Sequence, residues 1–216
     1  MMRDIDLSQP CIPSNYSRLI ARELALQTRD VPDLLAMTQL TVDQFLQEDT
    51  LLTPQQQLQI LDNSLQLAND DTFGLRLGRR LTSPTHGAMG FLVNSSPDLL
   101  TAIRAFQVFL PTRMNLARLE MAARDNWLEV TCRFHVELSE SLLKVLSESF
   151  AVIFFDCAEF IVGRPVGEVV CGFLHKEPGY SHCYAVHSGF DNIWRNLTRA
   201  EHSARRVQAA QCVRQP

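Results

Sequence analysis

The hydrophobic period of this chain changes near residue 115, and that change decides which folds are open to it. In residues 115–124, Ala117, Leu119 and Met121 alternate with Arg118 and Glu120. In residues 127–135, Leu128, Val130, Cys132 and Phe134 alternate with Glu129, Thr131 and Arg133. Such alternation marks a strand with one buried face. Asp125-Asn126 stands between the two runs as a two-residue turn, so residues 115–135 read as a β-hairpin. Pairing Arg124 with Trp127 sets Met121 opposite Val130, Leu119 opposite Cys132 and Ala117 opposite Phe134, all on one face. A slip of one residue would set apolar side chains against polar ones, so the pattern itself fixes the register.

Before the hairpin, apolar residues recur at helical spacing behind capping residues. Ser14 can cap a helix carrying Leu19, Ile20, Leu24 and Leu26; Pro32 suits a first helical position, and Thr41 can cap a short turn. Thr53-Pro54-Gln55-Gln56 combines an N-cap Thr, Pro at the first helical position and Gln at the third, and Leu58, Leu61, Leu65 and Leu67 follow. Asp70 or Asp71 then caps residues 72–81, where Gly74 and Gly78 lie four apart. That spacing suits close helix–helix approach; the alternative is two tolerated glycines. Ser83-Pro84 breaks the chain, His86-Gly87-Ala88-Met89-Gly90 starts a short helix, and Ser96-Pro97-Asp98 starts another, with Leu99, Leu100, Ile103, Phe106 and Leu110 on its buried face. Pro111 is expected to end it.

After the hairpin, Ser139 can cap a helix over residues 140–162 that is apolar around much of its circumference and must be covered on more than one side. Residues 168–175 read as a further strand. The predicted fold class is α+β: a multi-helix region, then a small antiparallel sheet (hairpin 115–135, strand 168–175) packed on the long helix. Residues 1–192 are expected to form one domain, with a helical lead-in over 14–110 and an α+β part over 114–176. Residues 193–216 carry five arginines (Arg195, Arg199, Arg205, Arg206, Arg214) against Glu201 and read as a basic C-terminal tail.

Composition excludes more than it selects. With 20 Lys+Arg against 24 Asp+Glu over 216 residues, the net charge is −4, which argues against a chain built mainly to grip nucleic acid. The charged N-terminus lacks the apolar run of a secretory signal, and the longest apolar run, 150–155, is far below the ~20 residues of a bilayer span. A cytoplasmic protein with free thiols and no membrane partner is therefore expected. Cys171, His175, His182, Cys183 and His187 are the densest set of metal-ligating types. Cys171 and His175 lie ~13 Å apart on a strand, and the set lacks C-x₂-C spacing, so core cysteines and surface histidines are expected rather than a metal site. Asp156 and Glu159, one helical turn apart, read as the polar edge of the long helix rather than a catalytic pair. Motifs for serine hydrolases, zinc peptidases and nucleotide binding are missing, and the expectation is a non-enzyme without cofactor or metal.

Gly74-Leu75-Arg76-Leu77-Gly78, His86-Gly87-Ala88-Met89-Gly90 and Ser95-Ser96-Pro97-Asp98-Leu99-Leu100-Thr101-Ala102, in this order and followed by a strand–turn–strand and a long apolar helix, carry a family resemblance. Over residues 14–174 the chain resembles the N-terminal effector (arabinose-binding-like) domain of AraC-type transcriptional regulators. The resemblance implies ligand sensing and self-association, most simply as a homodimer, in the service of transcription control. In that family, DNA is read by a C-terminal helix-turn-helix segment; residues 193–216 do not match it, and residues 181–190 fit the family pattern poorly. Expected ligand-binding candidates are His86, Phe91, Arg104, Phe150 and Phe154, with Arg104 available to a carboxylate on a small-molecule effector; plain packing or surface placement is the alternative for each. Two alternative functions remain: a metal- or haem-linked redox sensor using His86, Cys171 or His175, and a shortened regulator acting by heterodimerisation with a full-length partner.

Overall fold

In a computed structural model of the chain, residues 6–124, 127–166, 169–186, 191–194 and 208–214 are described. The element order is β1 (Ile12–Pro13), α1 (Asn15–Glu23), α2 (Val31–Leu34), α3 (Val42–Leu46), β2 (Leu51–Leu52), α4 (Pro54–Ala68), α5 (Phe73–Arg80), α6 (Ala88–Asn94), α7 (Leu99–Arg113), β3 (Ala117–Arg124), β4 (Trp127–Phe134), α8 (Glu140–Val162), β5 (Val169–Phe173), β6 (Asp191–Trp194) and β7 (Gln208–Arg214). This is the α+β arrangement expected from the change of period.

β3 and β4 pair antiparallel in the register that the alternation dictates, with Met121 opposite Val130, Leu119 opposite Cys132 and Ala117 opposite Phe134. The predicted turn, Asp125-Asn126, lies outside the described residues. Leu119, Val130, Cys132 and Phe134 are all buried. The sheet is larger than expected: five strands in the order β3-β4-β7-β5-β6, with β7 antiparallel to both β4 and β5, and β6 parallel to β5. Part of the stretch read as a basic tail thus supplies a central strand. Exposed edges of β4 and β5 carry unpaired backbone N–H and C=O groups, and a ladder of main-chain hydrogen bonds satisfies both at once. Main-chain pairing makes little demand on side chains, which is why Gln208-Ala-Ala-Gln-Cys-Val-Arg fits despite its weak strand signal. Arg195, Arg199, Arg205 and Arg206 lie outside the described residues.

α8 runs between two bodies of core. The Ser139 hydroxyl accepts from the Leu142 N–H at 3.2 Å at one end, and Gly163 takes the left-handed conformation at the other (φ 71°). Leu143, Leu146, Phe150 and Ile153 join the main core with the helical lead-in and the hairpin, whereas Ala151, Val152, Phe155 and Ala158 pack with Val169, Cys171 and Phe173 of β5. α5 lies against α8 through its two glycines: a Cβ on Gly74 would meet the Glu148 carboxylate at 2.3 Å, and one on Gly78 would meet the Val152 Cβ at 2.7 Å. Close approach, not mere tolerance, is what this pair provides.

Both predicted boundaries of α7 move. Asp98, rather than Ser96, caps α7, its carboxylate accepting from the Thr101 N–H at 2.7 Å. Pro111 does not stop α7; it is exposed in the last turn, and the helix continues to Arg113 and closes with the Met114 N–H on the Leu110 carbonyl at 2.8 Å. The expected capping box at Thr53 is formed, and the expected cap at Thr41 is one as well, closed by Gln44.

α6 packs so tightly on the Ser83–His86 turn that a Cβ at Gly90 would lie 1.8 Å from the Ser83 carbonyl oxygen, while one at Gly179 would meet nothing within 4 Å. Gly90→Ala should therefore lower stability by about 1–3 kcal/mol or more, and Gly179→Ala by no more than about 0.5 kcal/mol. Urea titrations of the two variants check this.

Candidate functional site

Of three hollows among the described residues, the largest opens between α1, α4 and α5 on one side and the α7–α8 pair on the other. It contains about 740 Å³ of space between atoms, its mouth included, against 450 and 250 Å³ for two neighbouring hollows measured in the same way. Its walls come from far-apart stretches of chain: Tyr16 and Ile20 of α1, Gln57, Leu58 and Leu61 of α4, Leu77 and Leu81 of α5 and its end, Phe106, Leu110 and Arg113 of α7, and Leu146, Ser149, Phe150 and Ile153 of α8. Each helix contributes residues three, four or seven apart, the faces their amphipathic patterns turn inward.

Most of this wall is apolar, with few polar groups set into it. The Ser149 hydroxyl donates to the Gly74 carbonyl at 2.9 Å, and Ser17 donates to the Gln57 side-chain oxygen at 2.7 Å. His86 is buried and held at both ring nitrogens. Its Nε2 lies 3.1 Å from the Leu81 carbonyl, which only accepts, so the proton is on Nε2 and Nδ1 accepts from the Tyr16 hydroxyl at 3.2 Å. Burial, aided by the charge of Arg113, holds the His86 pKa below the usual imidazole range. Burial pushes the Tyr16 phenol up, opposed by Arg113.

Arg113 sits at the mouth, its guanidinium carbon 5.8 Å from the Tyr16 ring centroid and a terminal nitrogen 3.6 Å from where a Gly87 side chain would begin. Its Nε is buried with no hydrogen-bond partner among the described residues.

The sequence candidates divide. His86 and Phe150 line the hollow. Phe154 lies behind that wall, lining both smaller hollows, and joins an aromatic series in which Tyr16–His86, His86–Phe106 and Phe106–Phe154 centroids are 5.8, 6.2 and 5.1 Å apart. Phe91 is 72 % exposed and Arg104 is also exposed; neither lines any of the three hollows. The cation at the hollow is Arg113, about half a turn around α7 from Arg104. The spacing Phe106, Leu110, Arg113 carried that signal, but ending the helix at Pro111 hid it. Tyr16 and Gln57 had no motif of their own.

A second buried polar centre lies at Glu148 of α8, which also faces Gly74 of α5. Glu148 is fully buried; one of its oxygens accepts from the Tyr180 hydroxyl at 2.7 Å and from the Tyr184 hydroxyl, and the other has no partner among the described residues. Burial raises its carboxyl pKa above the usual value despite the two tyrosines. Among the described residues no group of three or more His, Cys, Asp and Glu side chains could hold a metal ion. His175 is buried with Nδ1 2.9 Å from the Lys176 carbonyl, His182 lies 3.5 Å from the Cys183 sulfur, and His187 falls outside the described residues. Burial pushes the Cys132 thiol up to about 12 and the Cys157 thiol up to about 11, far from thiolate at neutral pH. Asp156 is exposed and Glu159 half-buried.

Comparison with known proteins adds three findings. The family model described as the arabinose-binding domain of AraC transcription regulator, N-terminal, matches residues 29–189. The ornithine utilization regulator of Pseudomonas aeruginosa is 29 % identical over 137 residues, which span 61 % of this chain and 40 % of that protein. The crystal structure of transcriptional regulator CdpR from Pseudomonas aeruginosa matches in fold with a TM-score of 0.55 at 11 % identity, covering 88 % of this chain and 55 % of that one. The chain thus spans about half or less of each of these relatives.

Two outcomes follow from the buried groups. The His86 ring should titrate with a midpoint below 6.5 when followed by NMR, and a midpoint at or above 6.5 would contradict its burial as a neutral group. For Glu148, a folded pKa raised above 4.5 means that the folded state holds the extra proton, so stability falls as pH rises through that window. Glu148→Gln should therefore be more stable than the parent at pH 8, with the gap narrowing toward pH 4.5; urea titrations at the two pH values show it, and a gap that does not change with pH would refute it.

Proposed function

The chain belongs to the family of N-terminal arabinose-binding domains of AraC transcription regulators, and from that premise we propose that the hollow beneath α1 and α4 receives a small-molecule effector and makes this chain the sensing module of a transcription regulator. The observation that carries the reading is the hollow itself: apolar walls, few polar groups, and lining residues drawn from both the lead-in and α7–α8. Pockets of this composition hold small molecules by burying them, with a few polar groups fixing orientation.

The mechanism is a population shift. A ligand touching α1 and α4 on one side and α7 and α8 on the other stabilises the arrangement in which both walls face it, by as much as it binds that arrangement better than any other. A homodimer would carry the shift to DNA through a DNA-reading segment of the regulator, in the cytoplasm. Among the described residues no helix is long and apolar enough to cross a membrane. His86, Phe150 and Arg113 are proposed to meet the ligand directly, Phe154 to support the wall behind Phe150, and Phe91 and Arg104 to take no part in it. The regulator relatives favour binding over catalysis. What the ornithine regulator's name implies of its inducer belongs to that protein; the residues lining the hollow here include no acid to pair with a second amino group.

Leu58 is half-buried on the wall, so Leu58→Trp fills the hollow from its edge. Thermal-shift and calorimetric screening of carboxylic acids, amino acids and sugars should find a class that binds the parent, with binding lost at least tenfold in Leu58→Trp while the circular-dichroism spectrum is retained. A parent that no class stabilises, or binding that Leu58→Trp leaves intact, would refute the assignment of this hollow.

A further inference from the structure

Resting on that reading of the hollow, we infer that its ligand is an anion with an apolar body, a carboxylate on an aliphatic or aromatic frame, and that Arg113 is the residue that selects it. Three observations converge. First, the residues lining the hollow are mostly aliphatic or aromatic and include one permanent cation and no acid.

Second, that cation has no counter-charge. Arg29, Arg76, Arg80, Arg118 and Arg133 each sit beside a carboxylate. Arg113 is in none of the ion pairs among the described residues, and its Nε is buried without a hydrogen-bond partner. Nε of Arg76 and Arg118 also lacks a hydrogen bond, but those guanidinium groups have carboxylates alongside. A partly buried guanidinium with one donor unmet and no counter-ion is unfavourable, and an anion arriving from outside would relieve it.

Third, the surroundings leave room beside a terminal nitrogen. Tyr16 lies against Arg113 at 5.8 Å from ring centroid to guanidinium carbon and its hydroxyl also neighbours the guanidinium, contacts that meet the charge in part but supply no counter-ion. The absent side chain at Gly87 leaves room beside a terminal nitrogen. The neighbouring His86 is neutral, with both nitrogens engaged by Tyr16 and Leu81, so it offers the anion neither competition nor a second charge. A planar fork of donors above an apolar hollow matches a carboxylate whose hydrocarbon part points inward.

The test pairs acids with neutral analogues of the same shape: octanoate against octanamide, and cinnamate against cinnamamide, by calorimetry at pH 7.5. A charge-assisted pair predicts that at least one acid binds the parent about tenfold or more tighter than its amide. Arg113→Gln should bring that acid down to its amide's affinity, and Arg113→Lys should restore part of the difference. If acid and amide bind the parent alike, the anion assignment falls while the hollow remains a binding site. If neither acid binds, or an acid binds Leu58→Trp as well as the parent, the assignment also falls; in the second case the hollow as ligand site falls with it. Should Arg113→Gln lose its fold by circular dichroism, the acid-against-amide difference in the parent decides alone.

Discussion

The burial of α8 on more than one side is the constraint on which the rest of this molecule depends. A helix of 23 residues with so few polar positions cannot lie on a surface, so it needs partners on opposite sides. The sheet supplies one. The other comes from α5, which reaches α8 closely because Gly74 and Gly78 carry no side chains on that face. With α8 held between them, the lead-in helices are placed around its Leu146–Ile153 stretch, and the hollow is the gap that their packing leaves there. One helix thereby fixes fold and site together.

The same helix carries two neighbouring polar groups with different partners. Ser149 ties it to the Gly74 carbonyl beside the hollow, while Glu148, the preceding residue, turns toward Tyr180 and Tyr184 in the stretch after β5. A buried carboxyl with one oxygen unmet is unfavourable in itself. What it does here is fasten the Ser181–Val186 turn to the middle of α8, a region otherwise covered by apolar packing alone. The apolar contact defines how close the elements come, and the hydrogen bonds define which part of the turn meets the helix.

Much of the fold was legible because the deciding interactions were periodic. The hairpin register followed from Ala117, Leu119 and Met121 facing Phe134, Cys132 and Val130, and the cap at Thr41 and the capping box at Thr53 from local spacing. Order and spacing of the GLRLG, HGAMG and SSPDLLTA segments pointed to the family that the comparison found over residues 29–189. The misses share a cause: they depend on partners distant in sequence. β7 is a strand because β4 and β5 both need main-chain partners, which its own residues do not advertise. α7 continues past Pro111 into one last turn, and that continuation carries Arg113 to the hollow. Tyr16 comes to His86, and Tyr184 to Glu148, only through tertiary packing.

The central claim is that one ligand bridges the lead-in and the α7–α8 pair, and hydrogen exchange with and without a bound probe measures that bridging directly. If the account is right, saturating probe slows amide exchange in α1 and α4 together with the last turn of α7 and the middle of α8, while β5 and the Ser181–Val186 turn change little. Exchange that stays the same in α1 and α4, or slows only in elements that do not line the hollow, would contradict it.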